Sequence, residues 1–570
     1  MCHLKVVLLC KGRGGDAASY QPARDESQWW NRRDALVRCA AAFLHGPSSA
    51  HCTSRELVLV HDEDWARVHM TVGDGEKAPS EAAVIGAWRE TALAPHALPN
   101  GTSPVACRLV HSAAPLQDAS AVAAMESKRD VLVHMQKHCT MEFLRAHHLN
   151  SKPDVILRKT NKAALLAAWE KWTALHASAE SASTKQVVTS IFRELLQPKD
   201  ASIQTVVAGT LHESSDAELP CFAPDTAIPS ADPSLQVVLF LGAVRDMSSA
   251  ENATLQKLCA AQSIPLTRVR LGAVAEFTSK ILSVLAFHQA TGVLAPALLR
   301  TIAAESRAPP AKRLKAAADA PAHLHVLCSV PLPSTAVTTE LARRSRSLWA
   351  MVRVAVVTLW RSRVASSDAH PLATSLTFVL EDGKAITLRQ DELVTSLAEQ
   401  HMAAPSEFQI LGALCKALAC AVAEPLKDLA LRLIASDCDD NASVYAVEVS
   451  TNAADSGVVD IIYDTPEAPT HGNLLVLLPL GPELRAHKAL LAACTKSSIP
   501  VHRQCLLQAQ DAEAATITMF QHFIYQRRLW PCLEALAATA TTDDKQPGSP
   551  KVKKAKKAKK VKKPKNEKAP

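Results

Sequence analysis

Three scarcities narrow the class of this 570-residue chain before any motif is read. Aromatic residues make up only 4% of it, so Ala, Leu and Val must carry the apolar content of its cores. No run of about 18 apolar residues exists. The best approach, Leu348 to Trp360, is broken by Arg353, which excludes a membrane-spanning helix. The fifteen cysteines include no CxxC pair, and no histidine cluster stands at ligand spacing. Reduced core thiols in an intracellular protein are therefore expected, with no structural zinc or other metal site. The opening Met1-Cys2-His3-Leu4-Lys5 has too short an apolar core for a signal peptide and reads as a first strand.

What is present is length and an uneven charge. The chain has room for two to four domains, each able to bury a core. The net charge is +7, but residues 551–570 hold eleven Lys and one Glu, leaving the remainder slightly acidic. Such a tail cannot bury a core and is expected to be disordered from about 541 to 570. It serves as a solubility or nuclear-import tail, or it adds non-specific affinity for a polyanion such as RNA. A second basic element, Pro309-Pro310-Ala311-Lys312-Arg313-Leu314-Lys315, lies in an Ala/Pro-rich linker over 306–322 and has the form of a nuclear import signal. Location in the nucleus or cytoplasm is expected, with the basic segments favouring nucleus or nucleolus.

The patterning is that of a parallel α/β sheet. Val237-Val238-Leu239-Phe240-Leu241 ends at Gly242 and a helical segment follows; Leu266 to Leu271 ends at Gly272 and a second helix runs from about Thr278 to His288. In such sheets ligands sit at the carboxyl ends of strands, where glycine permits close backbone approach. Leu241, Gly242, Leu271 and Gly272 are thus candidates for a small-molecule site; plain strand-end turns are the alternative.

The same grammar returns later. Leu474 to Leu480 ends at Gly481, and Ser263-Ile264-Pro265 recurs as Ser498-Ile499-Pro500. His3-Leu4-Lys5-Val6 is echoed by His323-Leu324-His325-Val326, and Val37-Arg38-Cys39-Ala40 by Val352-Arg353-Val354-Ala355. Ala78-Pro79-Ser80-Glu81 is echoed by Ala404-Pro405-Ser406-Glu407. Echoes in one order point to a tandem duplication. A first unit is expected over 1–305 and a second, degenerate one over 323–540. The first carries extra residues placed at about 115–215, with helical patterns at Asp130 to Leu149, Lys162 to His176 and Val187 to Leu196. This insertion is basic (Lys128, Arg129, Lys137, Arg145, Arg158, Lys159, Lys162), which suits a solvated helical face or a groove for RNA backbone. His147-His148 reads as surface rather than metal-binding.

Taken in order, the first half resembles the SPOUT-class RNA methyltransferases, and within them the TrmY-type pseudouridine N1-methyltransferases. The resemblance rests on Arg32-Arg33-Asp34-Ala35-Leu36-Val37-Arg38-Cys39, on Leu44-His45-Gly46, on the Pro79-Ser80-Glu81 helix start, and on Leu241-Gly242 and Arg270-Leu271-Gly272 with the helix to His288. It covers most of 1–94 and 235–290. Asp246 stands where the family has a second glycine, and no cysteine occurs among Ser279, Lys280 and Ile281. The second half has diverged further, with Ser347, Trp349 and Leu507 in place of Arg32, Asp34 and Gly272.

The resemblance implies a knotted parallel-sheet fold present twice as a single-chain pseudo-dimer, monomeric if the pair closes within one chain, with one working site in the first half. It implies S-adenosyl-L-methionine as cofactor, held by Leu241, Gly242, Leu271 and Gly272, and RNA (tRNA or rRNA) as partner and substrate. Asp34 would accept or orient the N1 proton of pseudouridine, and Arg32 and Arg38 would hold RNA phosphate or the base edge. A surface ion pair between Asp34 and Arg38, one helical turn apart, is the plainer role for these residues. A non-catalytic RNA-binding protein that kept the fold is the alternative function.

Overall fold

The computed structural model describes residues 2–12, 14, 33–45, 52–73, 81–93, 103–110, 127–139, 141–150, 153–176, 184–212, 217–219, 235–243, 246–271, 278–305, 322–338, 345–359, 372–389, 407–436, 444–450, 461–463, 465–466, 472–482, 484–506 and 513–543, with a few single residues between them. Among these are two sheets and sixteen α-helices. The expected linker (306–322) and tail (541–570) lie outside the described residues except for Ala322, which opens a strand, and 541–543, which end a helix; Arg32 and Gly272 lie outside them too.

The first sheet contains β1 (Cys2–Cys10), β2 (Cys52–His61), β3 (Arg67–Val72), β4 (Val105–Val110), β5 (Thr205–Leu211), β6 (Ala217–Glu218), β7 (Leu235–Gly242) and β8 (Leu266–Arg270). Their order is β4-β3-β2-β1-β7-β5-β8-β6. The second contains β9 (Ala322–Val330), β10 (Leu372–Leu380), β11 (Ala385–Arg389), β12 (Val444–Val449), β13 (Gly472–Pro479) and β14 (Val501–Gln504), ordered β11-β10-β9-β13-β12-β14. Both sheets are mixed, which corrects the expectation of wholly parallel ones: β3 and β11 run antiparallel to β2 and β10, and β4 pairs antiparallel with β3. The cause is connection length. Residues 62–66 and 381–384 are too few for a crossover, so each returns its chain as a hairpin. In the second hairpin Gly383 has φ +79°, and a Cβ there would lie 2.0 Å from the Glu424 carbonyl oxygen, so only glycine fits.

Apart from β4 and β6, the two orders match strand for strand. In each, the opening strand (β1 or β9) is flanked by the hairpin strand and by a strand from late in its half (β7 or β13). Backbone detail recurs as well. Ser263 and Ser498 both adopt positive φ, as do Gly292 and Arg527, and each pair is 235 positions apart.

Helices cover both faces of each sheet. In the first half these are α1 (Arg33–Leu44), α2 (Glu81–Leu93), α3 (Lys128–His138), α4 (Met141–Ala146), α5 (Pro153–Lys159), α6 (Lys162–His176), α7 (Thr184–Leu195), α8 (Ser249–Ala261), α9 (Thr278–Ala290) and α10 (Leu294–Glu305). Strand β1 shows why its run is apolar throughout. Leu4, Val6 and Leu8 pack under α1, α2, α9 and α10, while Val7 and Leu9 pack under α7 and α8. Each such side chain contributes roughly 1.5–3 kcal/mol on burial. The second half repeats the three layers with α11 (Arg346–Leu359), α12 (Glu407–Cys420), α15 (Glu513–Tyr525) and α16 (Leu529–Asp543) on one face and α13 (Leu426–Ser436) and α14 (Arg485–Lys496) on the other.

The extra residues of the first half form a unit with its own core. Val131, Leu132, Met135, Phe143, Leu165, Trp169 and Trp172 join α3 to α6. The helix expected over Asp130 to Leu149 breaks at Cys139, whose backbone is extended (φ −87°, ψ 149°). The break turns α4 back so that Phe143 meets Trp172 edge-on at 5.0 Å. Thr205–Leu211, inside the span assigned to the insertion, is an inner strand of the sheet.

The halves meet through α9 and α15. Val284 and Phe287 of α9 belong to the core of the second half, and Phe287 meets Phe523 edge-on at 5.9 Å. No single helix among the described residues is long and apolar enough to cross a membrane.

Candidate functional site

A partly open cleft lies where four interface helices converge. Helix α1 contributes Arg38, α9 contributes Ser279, Lys280 and Ser283, α11 contributes Arg353, and α15 contributes Ala514, Ala515 and Thr518; His45 and Glu81 complete the polar wall. Arg38 and Arg353 are the two arginines of the repeated Val-Arg-x-Ala motif. Ser279, Lys280 and Ser283 each stand 235 positions before Ala514, Ala515 and Thr518. The cleft therefore straddles the relation between the halves, and Ala515 stands where Lys280 would have its counterpart.

Two arginines and one lysine face one carboxylate. The Arg38 Nε lies 3.7 Å from the Glu81 Oε1, both side chains being largely buried. Lys280 is only 3% exposed, and its ammonium donates to the Gln521 Oε1 at 2.8 Å. The Gln521 amide in turn donates to the Thr358 carbonyl at 2.9 Å. The second half thus holds the first half's buried cation in place, which costs less than leaving its charge unpartnered away from water.

Lys280 also lines a smaller cavity, together with Leu271, Ile281, Val284, Thr518, His522 and Tyr525. Lys280 and Thr518 are common to the two cavities, so one side chain of α9 separates the strand end at Leu271 from the arginines. Leu241 is buried in β7. Gly242 ends that strand opposite Leu9, and its carbonyl accepts a hydrogen bond from the Thr278 hydroxyl at 3.0 Å. Asp34 stands in the first turn of α1, one turn before Arg38; its side chain lies outside the described residues. The structure thus brings Arg38 and Leu271 to adjoining cavities.

Strand register revises one equivalence. Gly242 faces Leu9, and the corresponding pair in the second sheet is Pro479 and Ser329, so Pro479 rather than Gly481 takes the position of Gly242.

Below the small cavity the interface is polar but uncharged. The Nε2 atoms of His288 and His522 are 3.2 Å apart, and the Tyr463 hydroxyl bonds both His288 Nδ1 (3.0 Å) and the Thr291 hydroxyl (3.2 Å). Burial lowers the His522 imidazole to about 3. Burial and then the neighbouring His522 hold His288 well below its ordinary value. Burial pushes the Tyr463 phenol up.

A second buried polar group lies inside the first sheet. Glu56 is bonded to His69 at 2.7 Å and lies 3.7 Å from the Lys5 ammonium, which donates to the Leu195 carbonyl. Burial raises the Glu56 carboxyl, but hydrogen bonds with His3 and His69 and the Lys5 charge outweigh it and hold the group below the usual carboxylate range. In the second sheet His325, Thr377 and Thr387 form a hydrogen-bonded chain there. This cluster ties β1, β2 and β3 to α7 and is structural. No cluster of metal-ligating side chains occurs among the described residues.

Sequence reading missed Lys280 and Arg353 as cleft residues. A signal existed for each: a lysine within an otherwise apolar helix, and an arginine kept in the Val-Arg-x-Ala echo.

No family model matches the chain and no curated protein matches it. Among solved structures, phosphofructokinase from Saccharomyces cerevisiae aligns over 95% of this chain and 92% of that one at 8% identity, with a TM-score of 0.12. A score that low carries no argument about fold or function.

Proposed function

We propose that the chain is an S-adenosylmethionine-dependent RNA methyltransferase of SPOUT type, acting on N1 of pseudouridine in tRNA or rRNA. On this reading it is a tandem duplication whose halves close on each other as a pseudo-dimer. The observation that carries the reading is the placing of Leu271 and Arg38 on adjoining cavities divided by Lys280. The matching strand orders support the duplication.

The residues fit the cofactor in part. The carboxyl ends of β7 and β8 share one sheet edge on either side of β5, with Gly242 at the first. Gly242, Leu271 and Gly272 are the residues that would hold it, and its chemistry would be a methyl group on sulfonium, open to attack by a nucleophile. The rest falls to the chain itself. Arg38 and Arg353 bind RNA phosphate. Lys280, fixed by Gln521, adds positive charge between the two cavities. Asp34, one turn before Arg38, is the group for the N1 proton.

One observation favours a non-catalytic RNA-binding protein instead. The Gly242 carbonyl is already engaged by Thr278, and the cavity beside Leu271 is the smaller of the two. Calorimetry with S-adenosylmethionine, followed by labelled-methyl transfer to tRNA and rRNA, separates the readings. Binding and transfer are expected, and transfer should vanish on RNA lacking pseudouridine. Arg353→Ala should weaken RNA affinity about tenfold, as should Arg38→Ala, in line with ~1.5 kcal/mol for one charge-assisted contact. Absence of cofactor binding leaves the RNA-binding reading in place; an Arg353→Ala variant indistinguishable from wild type removes the cleft from both.

A further inference from the structure

We infer that the helical unit inserted into the first half carries a second, sequence-independent binding site for RNA phosphate backbone, at the end where α3 begins and α5 stops. The inference rests on the RNA part of the reading above but not on the cofactor.

Five cations gather there. Lys128 and Arg129 open α3, Arg158 and Lys159 close α5, and Lys162 opens α6. Two side-chain bonds bring these termini together: the Lys128 ammonium donates to the Leu157 carbonyl at 2.7 Å, and the Lys162 ammonium donates to the Met125 carbonyl at 2.5 Å. The helices beneath share one core around Trp169, so the cations are mounted on a packed unit rather than on a flexible run. Among the described residues Asp130 is the acid at this end, and its carboxylate is engaged by the Ser127 hydroxyl at 2.6 Å. Arg158 and Lys159 are exposed.

A helix C-terminus favours cations through its dipole, which accounts for Arg158 and Lys159 as local stabilisers. It also accounts for Lys128, whose ammonium caps the last turn of α5 at Leu157, but not for Arg129 at the start of α3 or Lys162 at the start of α6, where the dipole disfavours them. A cost accepted at two helix starts to concentrate positive charge fits a polyanionic partner. The aromatic rings of the unit, Phe143, Trp169 and Trp172, are buried, so none offers a stacking platform for bases. Recognition is left to phosphates, which position a nucleic acid without reading its sequence.

The test is binding of the full chain to a fluorescent 20-nucleotide poly(U) strand across a salt series. In the Arg158→Glu/Lys159→Glu variant the slope of log affinity against log salt should fall by about 1.4, two contacts at ~0.7 each for a single strand. Affinity for poly(A) should fall equally. An unaltered circular-dichroism melt checks the fold, and Arg158→Gln/Lys159→Gln, which adds no negative charge, should give the same change in slope. If both variants keep the wild-type slope, the site is refuted while wild-type binding upholds the RNA reading. If wild type binds neither strand, both fall. If poly-glutamate of equal charge binds as tightly and is equally sensitive to the substitutions, the partner is an acidic protein segment and the RNA assignment is overturned.

Discussion

Lys280 and the imidazoles beneath it show how single side chains take their properties from position. Lys280 sits on a helix that is otherwise buried and mostly apolar, and its charge is tolerated because Gln521 of the other half meets it at 2.8 Å. His61, His288 and His522 are instead kept neutral by burial, His61 and His522 at about 3. Their unfolded values lie near 6.5, so the unfolded chain binds protons that the folded one refuses as pH drops below that point. Stability should be complete above pH 6.5 and fall with acidification, by roughly 1.4 kcal/mol per pH unit for each histidine. Thermal midpoints measured from pH 7.5 to 5 should be level and then decline, and His522→Gln should make the decline shallower. A profile that stays level down to pH 5 would show these imidazoles to be solvated.

Among the elements, α9 does the most to join the parts. Its far end is pinned to the first sheet, where the Arg55 guanidinium donates to the Gln289 side chain at 2.8 Å and Gln289 donates to the Cys2 carbonyl at 3.2 Å. Its middle enters the second core through Val284 and Phe287. Phe287→Ala removes a 1%-exposed ring and its edge-on contact with Phe523, at a cost of about 3–5 kcal/mol. Because that contact couples the halves, calorimetry of the variant should show two transitions in place of one. A single transition shifted by less than the wild-type scatter would mean that the halves are held elsewhere.

At the scale of the whole molecule, each half covers the helix face that the other would expose. Their contact runs through α9 of one half and α15 of the other, where Val284 and Phe287 enter the second core. Light scattering should give a mass near 61.2 kDa, that of one chain. A stable mass twice that value would count against closure within the chain.

Local chemistry alone determined much of this. Apolar runs ending in glycine at Gly242, the helix from about Thr278 to His288 and the Ser-Ile-Pro echoes were legible because periodicity and turn propensity act over a few residues. The α/β class follows from such signals, and the helical patterns of the inserted unit coincide with helices apart from the break at Cys139, whereas α5 (Pro153–Lys159) carried no such signal. Only the tertiary structure decided what those signals do not contain. The antiparallel edge strands depend on connection length, and the equivalence of Gly242 with Pro479 depends on strand register. The cleft depends on contacts between residues more than 200 positions apart, such as Lys280 with Gln521. Arg38 was visible as a motif residue, but its partnership with Arg353 was not, because pairing across a fold is set by how whole layers pack rather than by neighbours along the chain.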